Sequence, residues 1–242
     1  MAVAAFFDID GTLYRDSLMI EHFKKLLKYE VINPNLWYDH VKSTYDTWKK
    51  RRGDYEDYME ELADVYLSAI KGLNINEIDF ISKQVIELKG DTVYSFTRER
   101  IEWHKSQGHL LFFVSGSPDY LVRKMAEKYG ATAYKGSTYY MDENNNLTGE
   151  VFPMWDSDHK QEAILKIVKD YDIDLDESYA YGDTNGDFTM LGLAGHGYAI
   201  NPTKELIVNL RNSSLHKNSV KVIIERKDVI YELSPDVTLF NE

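Results

Sequence analysis

AAFFDIDGTL, residues 4–13, is a short apolar run that ends in two acids and a glycine. The run is too short for a helix and Gly11 closes it, so it predicts a buried strand that ends in a tight turn. Because side chains alternate along a strand, Asp8 and Asp10 share one side while Ile9 faces the core. Two carboxylates this close repel each other, which a fold tolerates best where a cation or a reaction uses them. The alternative is a polar turn after an edge strand, and the spacing alone leaves both open.

Length and composition indicate a globular protein. The 242 residues are enough for one full α/β core and a smaller appended unit. Hydrophobic residues make up 43% of the chain and aromatic residues 13%, which argues against disorder. The formal net charge of −12 argues against a protein that binds nucleic acid through its whole surface. The chain has no cysteine, which excludes disulfides, thiolate zinc sites and cysteine nucleophiles.

The N-terminus leads directly into the first predicted strand. It lacks the basic segment and the longer apolar segment of a signal peptide. No uninterrupted apolar run approaches the roughly 18 residues that a membrane-spanning helix needs. We therefore expect a cytoplasmic protein that does not associate with a membrane.

Helical periodicity replaces the strand pattern after Leu13. Four helical patterns follow without a strand between them, at residues 17–29, 36–52, 55–71 and 75–88. Helix-breaking residues separate or close them at Asn33-Pro34, Gly53-Asp54, Gly72-Leu73-Asn74 and Gly90-Asp91. The pattern predicts an all-α helical domain, residues 14–90, inserted into an α/β core domain made of residues 1–13 and 91–242.

The insert is rich in aromatic residues. Trp37, Tyr45 and Trp48 have spacings that allow them to share a helix face. We interpret them as core of the small bundle rather than as a ligand-lining wall, because amphipathic stripes are mostly core. The basic run at residues 49–52 is interpreted as a solvated helix end, where positive charge suits the helix dipole.

Strands and helices alternate from Asp91 onward. Strands are predicted at residues 109–114, 131–136, 178–181, 196–200 and 220–225, with a hairpin formed by residues 138–141 and 147–152. Helices are predicted near residues 92–107, from 118, from 158 and at 203–210, with a helical turn at 228–233. This alternation predicts a doubly wound, mostly parallel, Rossmann-like sheet, in which ligands bind at the carboxyl ends of the strands.

Two of the predicted helix starts carry chemistry. Pro118 suits a first-turn position and leaves Ser117 as the predicted N-cap, so that Ser115-Gly116-Ser117 forms a turn of the kind that cradles phosphate. Many ordinary strand-to-helix turns have the same composition. Asp158 is the predicted N-cap of a later helix, which puts Lys160 in its first turn. A cation there is unfavourable unless an anion lies opposite.

One predicted edge of the sheet therefore gathers four acids, one hydroxyl and one amine. These residues are Asp8, Asp10, Asp183, Asp187, Ser115 and Lys160. The set suits phosphoryl transfer, because a carboxylate can attack phosphorus only when cations neutralise the phosphate. Ligands that are all oxygen favour Mg²⁺ as the metal.

These motifs resemble those of the haloacid dehalogenase superfamily of aspartyl-phosphate hydrolases. The four matching motifs, in family order, are Asp8-Ile9-Asp10-Gly11-Thr12, Ser115 within residues 114–117, Lys160, and residues 182–187. The helical insert between the first two motifs resembles the cap of the branch that contains phosphoserine phosphatase. The resemblance covers nearly the whole chain and implies a phosphatase.

The resemblance also implies roles in catalysis. Asp8 is the nucleophile that becomes phosphorylated. Asp10 protonates the leaving group and then activates water. Ser115, Gly116 and Lys160 hold the phosphoryl oxygens of a small phosphomonoester substrate.

A Mg²⁺ site is implied by the same resemblance. Asp8, the main-chain carbonyl of Asp10, and Asp183 are its ligands. Asp187 supports the metal through water or orients Lys160.

The chain departs from the phosphoserine phosphatases at the substrate. Those enzymes usually have Ser before the motif threonine, Glu nine residues after the nucleophile, and Ser-Gly-Gly-Phe in the second motif. This chain has Gly11, Ser17 and Ser115-Gly116-Ser117-Pro118 instead. We therefore expect a different small phosphomonoester. The alternatives are phosphoserine phosphatase itself, a phosphotransferase, and a catalytically silent binding protein on the same fold.

Overall fold

The computed structural model describes residues 1–53, 55–213 and 220–240. Asp54, part of the predicted break at Gly53-Asp54, lies outside the described residues. So do residues 214–219 and 241–242 of the predicted core domain.

The strands of the described chain form one sheet in the order β4-β3-β2-β1-β5-β6-β7-β8. They are β1 (Ala4–Phe7), β2 (Leu110–Pro118), β3 (Ala133–Met141), β4 (Leu147–Phe152), β5 (Tyr179–Gly182), β6 (His196–Ile200), β7 (Val220–Arg226) and β8 (Val229–Leu233). The six inner strands pair in parallel, and β4 and β8 pair antiparallel at the two edges. The prediction of a mostly parallel α/β sheet is confirmed.

Helices follow the strands along the described chain. They are α1 (Leu18–Lys28), α2 (Lys42–Lys49), α3 (Tyr55–Ile70), α4 (Ile75–Lys89), α5 (Ser95–Ser106), α6 (Asp119–Tyr129), α7 (Ser157–Tyr171), α8 (Phe188–Leu193) and α9 (Lys204–Asn212). The predicted helix at 36–52 is instead a π-helical turn, Trp37–Val41, followed by the shorter α2. A 3₁₀ turn, Asn185–Asp187, precedes α8. None of the helices described here combines the length and apolarity that crossing a membrane requires.

Strand β1 separates two apolar cores. Ala5 and Phe7 face a core that continues into α1, α3 and α4, whereas Ala4 and Phe6 face a core beneath α7, α8 and α9. All four residues of β1 are buried, as expected for a central parallel strand with helices on both faces. The carboxyl end of β1 is therefore fixed between two packed layers, and Asp8 directly follows it.

The aromatic residues of the helical segment form a cluster around Tyr58. Trp37 and Tyr45 lie 5.2 Å apart between ring centroids, and Trp48 stacks on the buried Tyr58 at 5.6 Å. Trp37, Tyr45 and Trp48 are half-buried and pack against the main apolar core, which agrees with their predicted packing role. The basic run at residues 49–52 is exposed at the end of α2, also as predicted.

The segment around Ser117 differs from the prediction. Strand β2 continues to Pro118 because that residue pairs with Ser137 of β3, so residues 115–118 belong to the strand rather than to a turn. Pro118, not Ser117, occupies the N-cap position of α6. The hydroxyl of Ser117 donates a hydrogen bond to Asp10 instead of capping the helix.

Two neighbouring predictions also need correction. The predicted strand at 131–136 and the hairpin arm at 138–141 are one strand, β3. Helix α7 begins at Ser157, and its N-cap is Asp156 rather than Asp158. The Asp156 carboxylate accepts hydrogen bonds from the backbone N–H groups of Asp158 and His159, so the capping interaction lies two residues earlier. Lys160 remains in the first turn.

The predicted helical turn at residues 228–233 is wrong, because this segment is strand β8. Lys227 adopts a positive φ of 50°, which turns the chain back, and Val229 then pairs with Arg226. The sequence Val-Ile-Tyr suits a strand. Glu225 of β7 accepts hydrogen bonds from the backbone N–H groups of Ser95 and Phe96. These two N–H groups lie in the first turn of α5 and have no partner within the helix.

A buried series of hydrogen bonds joins four helices. His22 Nε2 lies 3.3 Å from the carbonyl of Ile78, which can only accept, so Nε2 carries the proton. His22 Nδ1 then accepts from the Tyr66 hydroxyl at 2.9 Å, and that hydroxyl oxygen accepts from the Tyr120 hydroxyl at 2.5 Å. This series of hydrogen bonds links α4, α1 and α3 to α6. Burial lowers the pKa of His22 to about 4, so the ring stays neutral at pH 7.

We expect acid to destabilise the protein through His22. The unfolded state takes up a proton on His22 below pH 6.5, whereas the folded state does so only near pH 4. The full stability contribution of the neutral ring is therefore present above pH 6.5, and it is lost as the pH falls from 6.5 to about 4. The loss attributable to this group is about 3 kcal/mol. Urea unfolding of wild type and His22→Gln at several pH values measures it. His40→Gln, which alters an exposed ring, is the control. Equal acid sensitivity in wild type and His22→Gln would contradict the assignment.

Candidate active site

Three adjacent parallel strands bring the predicted site residues together. Strand β1 lies between β2 and β5, so Phe7 pairs with Phe113 on one side and Tyr181 on the other. Asp8 follows β1, Asp183 follows β5, and the second motif lies at the end of β2. The parallel pairing therefore places all three motifs at the same edge of the sheet, where α7 begins.

Lys160 lies between two carboxylates. Its Nζ is 2.9 Å from Asp8 Oδ1 and 2.5 Å from Asp187 Oδ1. Lys160 is 3% exposed, Asp8 5% and Asp187 0%. Burial alone would lower the pKa of Lys160, but the charges of Asp187 and Asp8 raise it overall, so the ammonium is retained. The unfavourable position of this cation at a helix start is thus offset by anions opposite it, as the sequence predicts.

Asp187 also holds the loop that follows β5. Its Oδ2 accepts hydrogen bonds from the backbone N–H groups of Asp183 and Thr184, at 3.0 and 3.1 Å. Gly182 makes this close approach possible, since a Cβ there would lie 2.3 Å from the Asp187 Cβ. Both oxygens of Asp187 are therefore engaged, one with Lys160 and one with the loop.

Asp10 is held by three donors on a separate side of the site. Its Oδ1 accepts from the backbone N–H of Leu18 at 2.9 Å, and its Oδ2 accepts from Ser117 Oγ at 2.5 Å and Ser17 Oγ at 3.3 Å. Burial raises the pKa of Asp10 to about 6, although these hydrogen bonds oppose the rise. Ser17 caps α1, so helix α1 starts next to this carboxylate.

Asp8, Asp183 and Asp187 form an acidic cluster whose ligand oxygens lie within 4.8 Å of one another. Burial raises the pKa of Asp8 to about 7 and that of Asp183 well above its usual value. Asp183 Oδ1 accepts from Thr12 Oγ1 at 2.8 Å, and a Cβ on Gly11 would lie 2.1 Å from Asp183 Oδ2. Glycine is therefore required at position 11, which also has a φ of +78°.

The donor set fits a hard divalent cation. Three carboxylates, those of the buried Asp8 and Asp187 and the half-buried Asp183, face one lysine ammonium, and charges of like sign at this separation are costly unless a cation balances them. All ligand atoms are oxygen, as Mg²⁺ prefers. The Asp10 carboxylate lies outside this cluster. This is compatible with the prediction that Asp10 binds the metal through its main-chain carbonyl and not through its side chain.

The second motif provides a small, closely packed surface. Ser115 is buried, and its Oγ accepts from the backbone N–H of Ser117 at 3.3 Å. A Cβ at Gly116 would lie 2.9 Å from the Cβ of Trp155, so only glycine allows this approach. The Gly116 carbonyl accepts from Ser137 Oγ at 2.7 Å. Ser115 and Gly116 both face the cavity described next.

A cavity of about 600 Å³ opens above these groups. Besides Asp8, Asp10, Ser115, Gly116, Lys160 and Asp183, it is lined by Met19, Met59, Glu60, Ala63, Asp64, Leu67, Ser117, Tyr139, Val151, Trp155, Thr184 and Gly186. Trp37, Tyr45 and Trp48 are not among the lining residues described. In the second group, Ser117, Thr184 and Gly186 belong to the predicted motifs, and sequence reasoning missed the other members. The lining residues of α3, from Met59 to Leu67, have the spacing of one helix face. No sequence pattern indicates which face of the helix lies against the strand ends.

The chain belongs to the haloacid dehalogenase-like hydrolases, because the profile of that family matches residues 5–192. A Streptomyces azureus protein named inhibition of morphological differentiation protein is 27% identical over 205 residues, which are 84% of this chain and 73% of the relative. A probable phosphatase of Mycobacterium tuberculosis is 26% identical, over 84% of this chain and 70% of its own. Family and relatives together identify a phosphatase-like hydrolase.

Solved structures share the fold. A structure described as the phospho-aspartyl intermediate analogue of phosphoserine phosphatase has a TM-score of 0.61 at 22% identity and covers 94% of this chain and 95% of that one. A Bordetella pertussis Tohama I protein of unknown function has a TM-score of 0.70 at 15% identity, over 87% and 95% of the two chains. At these identities the likeness concerns the fold alone.

Proposed function

We propose that this chain is a Mg²⁺-dependent phosphomonoester hydrolase that acts on a small phosphorylated metabolite and carries the phosphoryl group on Asp8. The observation that carries the proposal is the buried Asp8 carboxylate, held 2.9 Å from the Lys160 ammonium beside Asp183. Membership of the haloacid dehalogenase-like hydrolases supports it. In this proposal residues 14–90 act as a cap domain, because α3 contributes to the roof of the cavity.

Substrate binding follows from the groups around Asp8. Lys160 Nζ and the Ser115 hydroxyl bind phosphoryl oxygens, and the glycine at 116 allows them to approach the main chain. Mg²⁺ would be held by Asp8, the Asp10 carbonyl and Asp183. When bound, it neutralises phosphate charge that would otherwise repel the nucleophile.

The reaction then uses the two acids of the first motif in turn. An Asp8 oxygen attacks phosphorus, the bond from phosphorus to the alcohol oxygen breaks, and Asp10 donates a proton to that oxygen. In the second half, the Asp10 carboxylate takes a proton from water as the water oxygen attacks phosphorus, which frees Asp8 and releases phosphate. The raised pKa of Asp10, about 6, suits a group that both donates and accepts a proton near neutral pH.

Asp187 is a positioning residue in this proposal. One of its oxygens bonds to Lys160 and the other to the loop that carries Asp183. Asp187 thereby fixes the Lys160 ammonium and the proposed metal ligand Asp183 relative to each other.

Phosphoserine phosphatase is the second candidate. It is supported by a relative of that name in Mycobacterium tuberculosis, 24% identical over 85% of this chain and 67% of its own. Two features oppose it: Ser17 stands where those enzymes usually have Glu, and among the described residues Lys160 is the only basic side chain that lines the cavity. Comparison of kcat/KM for phosphoserine with a panel of metabolite phosphates tests the choice.

Removal of divalent metal should abolish hydrolysis. We expect p-nitrophenyl phosphate turnover to fall by at least about 100-fold in excess EDTA and to return with Mg²⁺. At saturating Mg²⁺ the melting temperature should rise, because the ion binds the folded state. Asp183→Asn should lose this rise, and Asp176→Asn, which changes an exposed acid, should keep it. Full activity after metal stripping would refute the metal requirement.

A further inference from the structure

The cavity wall opposite the phosphate-binding groups is built from one face of α3. Apolar side chains alternate there with acids over two helical turns, at Met59, Glu60, Ala63, Asp64 and Leu67. This spacing places all five side chains on adjacent positions of one helix face. The alcohol portion of a substrate held by its phosphate at Asp8 would extend toward this face.

The side chains of Glu60 and Asp64 take part in none of the ion pairs or hydrogen bonds found within the described part of the protein. Their neighbour Glu61 behaves differently, because it accepts a hydrogen bond from Thr44 Oγ1 at 2.5 Å. Glu60 and Asp64 are one helical turn apart and both solvent-accessible. Two adjacent, unpaired carboxylates create a negative field at the mouth of the cavity. We refer to Glu60 and Asp64 as the acid pair.

The cavity offers little to an anionic leaving group. Of the charged side chains that line it in the described chain, five are carboxylates and one is the Lys160 ammonium. Lys160 is already engaged by Asp8 and Asp187. A carboxylate or second phosphate on the alcohol portion would therefore meet the acid pair without a basic partner.

Tyr139 is an independent sign of a ligand in this part of the cavity. Its side chain is 7% exposed and lines the cavity, yet its hydroxyl makes no hydrogen bond within the described ranges. Its ring packs against Tyr66 and Tyr120. The side chain is more than nine-tenths buried and lines the cavity, so a hydroxyl without a protein partner is available to a molecule bound there.

Trp155 adds an aromatic surface to the same cavity. Its side chain is 51% exposed, and its backbone is fixed by close packing against Gly116 and Gly186. An aromatic face attracts a cation through its quadrupole. The methylene groups of a short alkyl chain would contact Met59, Leu67 and Val151.

We propose that the preferred substrates are phosphomonoesters of short alcohols that carry an ammonium group, which the acid pair and Trp155 recognise. This inference rests on the proposed phosphatase function. It adds that the cap segment selects for positive charge on the alcohol portion, and it names Glu60 and Asp64 as the residues that do so.

The test compares esters of similar size and different charge. We expect kcat/KM of the Mg²⁺-loaded wild type for 2-aminoethyl phosphate to exceed that for propyl phosphate by about tenfold, the effect of two solvent-exposed ion pairs. The anionic ester 2-phosphoglycolate should be the poorest of the three. The preference should decrease with salt, because exposed charges are screened.

Glu60→Gln/Asp64→Asn should lose the preference through a higher KM for the aminoalkyl ester, so that the KM values for the aminoalkyl and propyl esters become similar. Asp57→Asn removes a charge from the same helix outside the cavity lining and should retain the preference. Equal kcat/KM for the aminoalkyl and propyl esters, or a preference that survives in the double variant, would overturn the proposal.

Binding of phosphonates separates this proposal from the proposed function. Calorimetry with 3-aminopropylphosphonate and butylphosphonate, which cannot be hydrolysed, measures the charge preference without turnover. Hydrolysis of p-nitrophenyl phosphate with no binding preference would overturn the acid-pair inference and leave the phosphatase function intact. A binding preference without hydrolysis of any ester would support the inference and overturn the phosphatase function.

Discussion

Asp8→Asn should abolish turnover of every phosphomonoester, with kcat reduced by at least about 10⁴-fold, because removal of a nucleophile eliminates the covalent route. The amide cannot attack phosphorus as the carboxylate does. The loss should be the same for p-nitrophenyl phosphate and for alkyl phosphates, since both need the same attacking oxygen. Steady-state kinetics with both kinds of ester measure it.

The fold of the Asp8→Asn protein should be retained. Lys160 keeps its bond to Asp187, and removal of one carboxylate lowers the repulsion within the acidic cluster. Circular dichroism and the melting temperature check this, with Asp176→Asn as a charge-matched control elsewhere on the surface. A folded Asp8→Asn protein with normal turnover would remove Asp8 from the mechanism.

Asp10→Asn should have the second largest effect, and its size should depend on the leaving group. General acid–base catalysis contributes about 10²- to 10⁴-fold, so kcat for an alkyl phosphate should fall by that factor. p-Nitrophenolate leaves without a proton, so formation of the phosphoenzyme from p-nitrophenyl phosphate should be much less affected. Rapid-quench kinetics separate phosphorylation from the hydrolysis that follows.

Beryllium fluoride distinguishes the two acids directly, since it mimics the phosphoryl group on a carboxylate. It should bind Asp10→Asn and fail to bind Asp8→Asn. Ser17 and Ser117 can both bond to the new amide, so the geometry of the loop should be preserved. If Asp10→Asn left alkyl phosphate turnover intact, the proton would come from another group.

Much of the site could be predicted because its chemistry lies at strand ends that the sequence marks clearly. A short apolar run followed by Asp8 identifies β1, and the strand at 196–200 has the predicted bounds. The sign of the charge around Lys160 also follows from sequence, since a lysine in a first helical turn needs an anion opposite it.

Other features depend on contacts between distant segments. The hydroxyl of Ser117 bonds to Asp10, 107 residues earlier in the chain, so local capping preferences predicted the wrong N-cap. Strand β8 forms because β7 provides a pairing edge for Val229–Leu233, a contact that the interpretation of this segment as a helical turn did not consider. The α3 face that lines the cavity is likewise set by packing against the sheet rather than by its own periodicity.

The covalent step is the central claim, and reduction of the acid-quenched enzyme with tritiated borohydride tests it most directly. An acyl phosphate is reduced to an alcohol, whereas free carboxylates do not react. After incubation with Mg²⁺ and substrate, tritium should appear in the peptide from β1 and at residue 8, and it should be absent from Asp8→Asn. Turnover without label at Asp8, or label at another acid such as Asp10 or Asp183, would contradict the account.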